Sequence, residues 1–470
     1  GHKAGRCFTT GCCNVVMGIC TFGADHSDDA TGNNNVILGT KAGRTITSAS
    51  NNVLIGKEAG HCLTTGGHNV FIGTNAGKVN TTATGSIYLG RNAGAANVDG
   101  DYSIIIGQSA GNTGTAICDN IIIGREAGYA GSFANAKYNV IMGMQAGCDV
   151  TSGCYNTLLG HCAGTNLTSG NDNIAVGRGA AQGAAITGAR NVFMGLYSGN
   201  DLSSGADNVL IGANAAANLT TGSYNIAIGC NAMGDNAVTG GCNVVIGCNS
   251  GKKITSGHYN HFIGHYIGTS ICTGCHNTAM GVGNLGAITS GRNNIAFGRY
   301  SGQRLYGGST DNILIGLYAG QGPAGNSNVV ERNIMIGRCA GMNNKSSNNI
   351  YIGDEAARFT ETGNYNIGFG RYTLCCVVSG GSNTAIGMFA LRKSTGSSNV
   401  GLGYNVCVPI DGGNTQLVIG NNSCNWIVGN SDFNVGIGTT NPNIPVGVGN
   451  TAKLSVGIVS AYQLYGDGSN

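Results

Sequence analysis

Three groups of residues in this chain have types and spacings that could carry chemistry. The string CTGCH at residues 272–276 has the C-x-x-C-H spacing that attaches haem in c-type cytochromes. The string GVGNLG at residues 281–286 has the G-x-G-x-x-G spacing of a dinucleotide-binding turn. Cys248 and His265 could offer thiolate and imidazole ligands to a metal. Each chemistry needs elements that hold these residues in place, so each depends on how the chain is organised.

The chain is a series of short repeats. Phrases such as NVLIG, NVFIG, NIIIG and NVIMG end in a glycine, here called the anchor glycine, that recurs mostly every 17 residues, as at Gly39, Gly56 and Gly73. A corner of the type x-x-A-G follows, and then a turn such as NLTSGNDN. A short fixed period is typical of a solenoid, and this one is too short for helix pairs. The Val- and Ile-rich trios favour strands, so the sequence predicts an all-β protein, a parallel β-solenoid or β-roll of about 25 rungs, where one rung is one repeat.

An asparagine stands four residues before nearly every anchor glycine. Ser86, Ser103 and Gln416 replace it in three rungs. At the ~4.8 Å spacing of strands, each amide can bond the next rung, and such ladders stabilise stacked β-structure. We interpret this asparagine ladder as structural rather than catalytic; its chosen members are Asn52, Asn69, Asn120, Asn139, Asn156, Asn173, Asn208, Asn225, Asn260 and Asn312.

The repeat accounts for the reactive patterns. The haem-like string at 272–276 occupies the turn in which other rungs read NLTTGSYN or KITSGHYN. The glycine string at 281–286 lacks a following helical period, and chance matches are expected with 84 glycines in the chain. We therefore predict no cofactor and no metal. Cys248 and His265 remain the metal alternative, in which three copies of their column would surround an ion on a trimer axis.

The 19 cysteines are dispersed along the repeats rather than grouped in a compact framework. Cys230 and Cys248 follow the anchor glycines of adjacent rungs, so their Cα atoms fall within the roughly 4.4–6.8 Å that a disulfide allows. Cysteine is also a small apolar residue that suits a narrow interior. We favour the second interpretation, in which the cysteines fill the interior as thiols.

Tyrosines recur in two columns, and a ring with a polar tip suits sugar stacking and protein contact. The first tyrosine column is a candidate glycan or contact stripe, with an inter-chain seam as the alternative. It lies at the second position after the anchor glycine and comprises Tyr197, Tyr266, Tyr300, Tyr318 and Tyr372. The second tyrosine column lies just before the ladder asparagine and comprises Tyr138, Tyr155, Tyr224, Tyr259 and Tyr365.

The composition argues against several functions. Charged residues are 10% of the chain and the formal net charge is +3, so there is no basic field for nucleic acid. No apolar run approaches the roughly 18 residues of a membrane span. The acidic residues are dispersed and the repeats leave no long loops for a pocket, so we predict that the protein is not an enzyme. Thr-rich turns leave an ice-binding solenoid as a minor alternative, although Thr-Thr alternates with Ser-Ser and Val-Thr.

The apolar trio of each rung predicts self-association. One face of the strand can fill the interior, whereas the other needs a partner, and three chains around an axis would cover it. We therefore predict a homotrimeric fibre rather than a lone solenoid or a dimer, with rungs at ~4.8 Å giving a rod on the order of 120 Å. The repeats occupy residues 1–403, and residues 404–470 form degenerate repeats and a C-terminal stalk or transition segment. Because the sequence opens within a repeat, we expect it to be a piece of a longer protein.

Two stretches carry a family resemblance. The repeats NNVLIGKEAG and YNIAIGCNAM resemble the head repeats of trimeric autotransporter adhesins and the Gly/Asn-rich repeats of tail-fibre and appendage proteins of marine bacteriophages, including cyanophages. The tail motifs VGIGTTNP…AKLSVG (435–457) and YGDGSN (465–470) resemble the segment that follows the repeats in phage fibre proteins. The resemblance implies an elongated homotrimer on the virion that contacts other virion proteins and a host-surface polysaccharide or receptor. The alternative is a cellular adhesin or an extracellular surface filament.

Overall fold

The repeats fold into stacked parallel strands. In the computed structural model, the described residues are 1–6, 9–23, 30–133, 135–325, 329–422, 424–432 and 435–437. This part of the chain is all-β without helices, a parallel β-solenoid of about 23 turns with a repeat of ~17 residues. The predicted fold class is therefore confirmed, with slightly fewer turns than expected. The tail motifs that carry the phage resemblance lie outside the described residues, apart from 435–437.

The chain divides into two compact units, Gly1–Asn293 and Asn294–Asn470. Unit 1 contains β1 (Val15–Met17), β2 (Val36–Leu38), β3 (Val53–Ile55), β4 (Val70–Ile72), β5 (Ile87–Leu89), β6 (Ile104–Ile106), β7 (Ile121–Ile123), β8 (Val140–Met142), β9 (Thr157–Leu159), β10 (Ile174–Val176), β11 (Val192–Met194), β12 (Val209–Ile211), β13 (Ile226–Ile228), β14 (Val244–Ile246), β15 (His261–His265) and β16 (Thr278–Val282). Unit 2 contains β17 (Ile295–Arg299), β18 (Ile313–Ile315), β19 (Ile334–Ile336), β20 (Ile350–Ile352), β21 (Ile367–Phe369), β22 (Thr384–Ile386), β23 (Val400–Tyr404), β24 (Leu417–Asn421), β25 (Cys424–Gly429) and β26 (Val435–Ile437). The predicted change of structure at residue 404 stays a prediction.

Neighbouring strands pair residue for residue. In unit 1, Val53 of β3 faces Val70 of β4, and Leu54 faces Phe71. The pairing of β1 with β2 keeps this register although their anchor glycines, Gly18 and Gly39, are 21 residues apart. The register of these two strands is thus unchanged by the greater length of the segment between them.

The middle residue of each strand fills the interior. Leu54 is fully buried together with Ala59 of the corner and Leu63 of the turn, and these three columns recur along the repeats. Larger side chains fit where they stack: the rings of Phe71 and Tyr88 lie 4.5 Å apart in adjacent rungs. Burial of the Tyr88 ring raises the pKa of its hydroxyl. The interior is thus a narrow column of apolar side chains that each rung shares with its neighbours.

The anchor glycine meets two requirements that other residues fail. Gly73 has a φ of +137°, a region that is open to glycine and strained for other residues. A Cβ at this position would also collide with the carbonyl oxygen of Gly90 in the next rung. In the anchor column the backbones of adjacent rungs therefore approach closely without side chains between them.

The strand direction reverses near the end of the described chain in unit 2. β24 still pairs in parallel with β23, but β25 pairs antiparallel with β24, and β26 antiparallel with β25. Trp426, in β25, is 60% exposed. Because β25 and β26 do not continue the parallel stack, the solenoid has fewer turns than the count of repeats predicts.

Candidate functional site

The first and third residues of the strands form a partly exposed and mostly apolar surface. We call these residues of β2–β16 the outer sheet face of unit 1, and those of β17–β24 the outer sheet face of unit 2. In unit 1, Ile72, Met142 and Met194 are 37%, 41% and 41% exposed, and in unit 2 Phe369 is 54% exposed. Monomeric proteins rarely leave a contiguous apolar patch larger than a few hundred Å² in water. A face that stays apolar from strand to strand is typical of a surface that a partner covers.

The asparagine ladder satisfies buried polar groups of neighbouring rungs. The ten ladder asparagines named above are all buried. The Oδ1 of Asn156 accepts a hydrogen bond from the backbone N–H of Asn173 at 2.9 Å, and its Nδ2 donates to Gly170 O at 2.9 Å and to Asn139 Oδ1 at 3.0 Å. Such a column is positioned to hold consecutive rungs together and does not face a substrate.

Serine maintains the same connection through its hydroxyl. The Oγ of Ser103 accepts a hydrogen bond from the backbone N–H of Asn120 at 3.2 Å and donates one to Ile117 O at 3.0 Å. The hydroxyl thus satisfies the same kinds of buried backbone group as the asparagine amide. This explains why the ladder tolerates serine at Ser86 and Ser103.

The first tyrosine column occupies a backbone position that does not favour tyrosine. All five members have φ between +50° and +58°, in the left-handed region where asparagine is far better tolerated than aromatic residues. Asn75 and Asn214 fill the same position in other rungs, also with positive φ. The local backbone conformation therefore does not explain why tyrosine occurs here. The explanation has to come from the contacts that the tyrosine rings make.

The structure brings some members of this column together and leaves others apart. In unit 2, Tyr300 and Tyr318 stack with ring centroids 5.4 Å apart. Tyr372 stacks on Phe389 at 5.1 Å, and the guanidinium of Arg371 lies 4.8 Å from the Tyr372 ring. In unit 1, Tyr197 and Tyr266 are separated by rungs that carry asparagine at this position. The column is thus a set of separate aromatic sites. Phe389 also belongs to it, although the tyrosine pattern in the sequence did not include this residue.

A groove opens beside Tyr197 in unit 1. Its volume is about 580 Å³, within the range of roughly 300–1,000 Å³ that is usual for small-molecule sites. The other residues that line this Tyr197 groove are Thr165, Asn166, Gln182, Gly183, Asn200, Asn214 and Ala217. Small residues make the space, because the corner at 179–185 reads GAAQGAA. This run of small residues was the only indication of the groove in these repeats of the sequence. Whether small residues open a groove depends on the side chains of the neighbouring rungs.

The cysteines differ from their predicted role. Every cysteine in the described part of the chain is a free thiol, and the buried ones there are Cys162, Cys339 and Cys375. The prediction that cysteines fill the interior is therefore wrong for most of them. The physical reason is that the interior columns belong to the middle strand residue, the corner alanine and the turn leucine or isoleucine. Cys148 is half-buried at a corner, and this burial raises the pKa of its thiol to about 11.

The metal candidates have ordinary contacts. Cys248 Sγ lies 3.2 Å from Asn249 Nδ2, and the ring of His265 lies 4.1 Å from that of Tyr266. In the haem-like string, His276 stacks on Tyr259 at 5.0 Å. Among the residues that the structure describes, no group of three or more His, Cys, Asp or Glu side chains could hold a metal ion.

Comparison with known proteins does not assign the chain to a protein family. No family model matches the chain, and neither a curated protein nor a solved structure matches it. Within the described ranges, no helix is long and apolar enough to cross a membrane. The chain is thus a β-solenoid repeat protein, a fold that is compatible with a structural fibre or an adhesin.

Proposed function

We propose that the protein is a non-enzymatic structural fibre and adhesion protein that assembles as a homotrimer. The proposed setting is the shaft of a bacteriophage tail fibre or virion appendage that contacts the host-cell surface. The observation that carries this proposal is the outer sheet face, which presents two outward side chains per rung, nearly all of them apolar. Such a surface is a poor ligand pocket but a good interface between identical chains.

Covering this face is the main energetic reason to associate. Each Å² of apolar surface removed from water contributes roughly 25 cal/mol. Since every rung repeats the same arrangement, the stabilisation grows with the number of rungs in contact. Three chains around one axis bury three such faces at once and leave no apolar face free, which gives a closed assembly. A face-to-face dimer would bury the same residues, so the mass of the assembly decides between them.

The viral setting is supported by the resemblance of the repeats and of the tail motifs at 435–457 and 465–470. The alternative is a cellular trimeric adhesin or an extracellular filament, which would use the same outer sheet face. Both settings require an exposed, repetitive surface that does not depend on a catalytic centre. The proposal of a trimer can therefore be tested independently of the setting.

The first test is the solution mass of the full chain, measured by light scattering coupled to size exclusion. One chain has a mass of 47.4 kDa, and we expect three times this mass. A mass of one chain would overturn the proposed assembly, and a mass of two chains would replace the trimer with a dimer.

A charge-matched pair of variants tests the interface itself. The variant Ile72→Lys/Met142→Lys/Met194→Lys places three charges on the outer sheet face of unit 1, where association would have to bury them. The control Thr65→Lys/Ser152→Lys/Ser204→Lys places the same three charges on exposed turn residues of unit 1. We expect the first variant to shift to the mass of one chain and the control to keep the mass of the wild type. An equal effect of both variants would show that the face is not the interface.

A further inference from the structure

We propose that the Tyr197 groove binds a neutral polysaccharide through one or two of its sugar rings. This inference rests on the proposed adhesive function and gives that function a ligand class and a location. The lining residues lie in corners of the rungs, at positions other than the first and third strand residues. The groove therefore shares no residue with the outer sheet face.

The ring of Tyr197 is held as a platform. It lies over Gly179 of the preceding rung, where an added Cβ would be 2.5 Å from the ring atoms. The guanidinium of Arg178 lies 5.7 Å from the ring centroid, and 39% of Tyr197 remains exposed. A fixed and partly exposed aromatic ring offers the apolar surface on which the C–H face of a pyranose can stack. Glycine at position 179 is what allows this placement.

Two of the polar residues around this platform are asparagines whose amides are held by hydrogen bonds. The Nδ2 of Asn166 donates to Gln182 O at 2.8 Å, and the Nδ2 of Asn200 donates to Asp201 Oδ1 at 2.8 Å. An amide carries both donors and an acceptor, which matches the dual character of sugar hydroxyls. Gly183 keeps the groove open between them, because a Cβ there would lie 2.6 Å from Asn200 Nδ2. The groove thus combines an apolar platform with directional amides.

The charge around the groove favours a neutral ligand, because the two charged side chains next to the lining, Arg178 and Asp201, have opposite signs. The lining residues include tyrosine, threonine, asparagine, glutamine, glycine and alanine, and none of them carries a charge. An acidic sugar would lose part of its hydration on entering without gaining an ion pair from these residues. The expected ligand is therefore a chain of neutral pyranoses, such as a polymer of glucose, galactose or mannose.

The experiment measures binding of the full chain to oligosaccharides and compares matched variants. Binding is measured by saturation-transfer NMR. The neutral probes are hexasaccharides of β-1,4-glucose, α-1,4-glucose, β-1,4-mannose and galactose, and the acidic probe is 3′-sialyllactose. Tyr197→Asn removes the ring but keeps a residue that the backbone accepts, because Asn214 has the same position and a positive φ. The control Tyr224→Asn removes a tyrosine that is 63% exposed and lies outside the groove.

We expect at least one neutral hexasaccharide to bind, and Tyr197→Asn to weaken it by about tenfold while Tyr224→Asn leaves it unchanged. A second variant, Asn200→Ala, removes one amide, and Ala217 at the same position of the next rung shows that alanine fits. Both groove variants should weaken binding without changing the solution mass. Binding of none of the neutral probes, binding of sialyllactose alone, or equal loss with Tyr224→Asn would overturn the inference. If the chain is a trimer but binds no sugar, only the sugar-binding proposal is refuted. If it is a monomer that binds sugar through Tyr197, only the proposed trimer is refuted.

Discussion

Replacing Asn156 by alanine removes three hydrogen bonds from the asparagine ladder in the middle of unit 1. The backbone N–H of Asn173 loses the acceptor at 2.9 Å, and Gly170 O loses the donor at 2.9 Å. Asn139 Oδ1 loses the side-chain donor but keeps the backbone N–H of Asn156 at 2.9 Å. The substitution thus leaves two buried backbone groups unsatisfied.

The expected destabilisation follows from those two groups. A buried polar group without a partner costs about 1–3 kcal/mol, so Asn156→Ala should lower the local free energy of unfolding by about 2–6 kcal/mol. Asn156→Ser should cost about 1 kcal/mol, because a hydroxyl there can make the two bonds that Ser103 makes. The matched control is Asn171→Ala. The side chain of Asn171 accepts a hydrogen bond from the Cys154 N–H at 2.8 Å, but at an exposed site where water can replace it.

The measurement is native-state hydrogen exchange followed at the Asn173 amide, because repeat proteins need not unfold in one step. We expect protection to fall most in Asn156→Ala, less in Asn156→Ser and least in Asn171→Ala. Equal protection in the alanine and serine variants would refute the reasoning, since it would mean that the ladder bonds do not hold the rungs together.

Two further predictions concern single positions in unit 1. Gly73→Ala should lower the local free energy of unfolding by about 3 kcal/mol or more, because alanine is strained at a φ of +137° and its Cβ meets the Gly90 carbonyl. Native-state hydrogen exchange at the Gly90 amide, which donates to Ile72 O at 2.8 Å, measures this loss, and a loss below about 1 kcal/mol would contradict the prediction. At pH 8, Cys148 should react with iodoacetamide more than tenfold slower than the exposed Cys230, because its pKa of about 11 leaves little thiolate. Peptide mass spectrometry over time gives both rates, and equal rates would show that burial does not protect Cys148.

The fold was predictable because the strand spacing forces equivalent residues of consecutive rungs to lie above one another. The buried middle position of Leu54 and the bonding partners of Asn52 follow from this stacking and from the period alone. The apolar residues on either side of Leu54 likewise predicted a second apolar face, and Val53 and Ile55 are half-buried there. These features depend on the repeat and not on the details of any one rung.

Features that depend on how one rung meets the next were not predictable from a single sequence. The Tyr197 groove exists because the ring lies over Gly179, and this depends on a side-chain orientation set by the neighbouring rung. The cysteines were misassigned because their small apolar character was considered without their position relative to the interior columns. The antiparallel pairing of β25 was missed because its residues still read as a degenerate repeat.

The constant register of the strands has a consequence for how such a chain can change. Between Gly316 and Gly337 in unit 2 the repeat is 21 residues long, yet β18 and β19 pair without a shift. A longer segment between two strands thus leaves their register unchanged, and Asn333 still donates to Asn312 Oδ1 at 3.1 Å across it. Evolution, or an engineer, can vary the turns independently and append whole repeats at little structural cost. New recognition surfaces can then arise on a scaffold whose strand register stays the same.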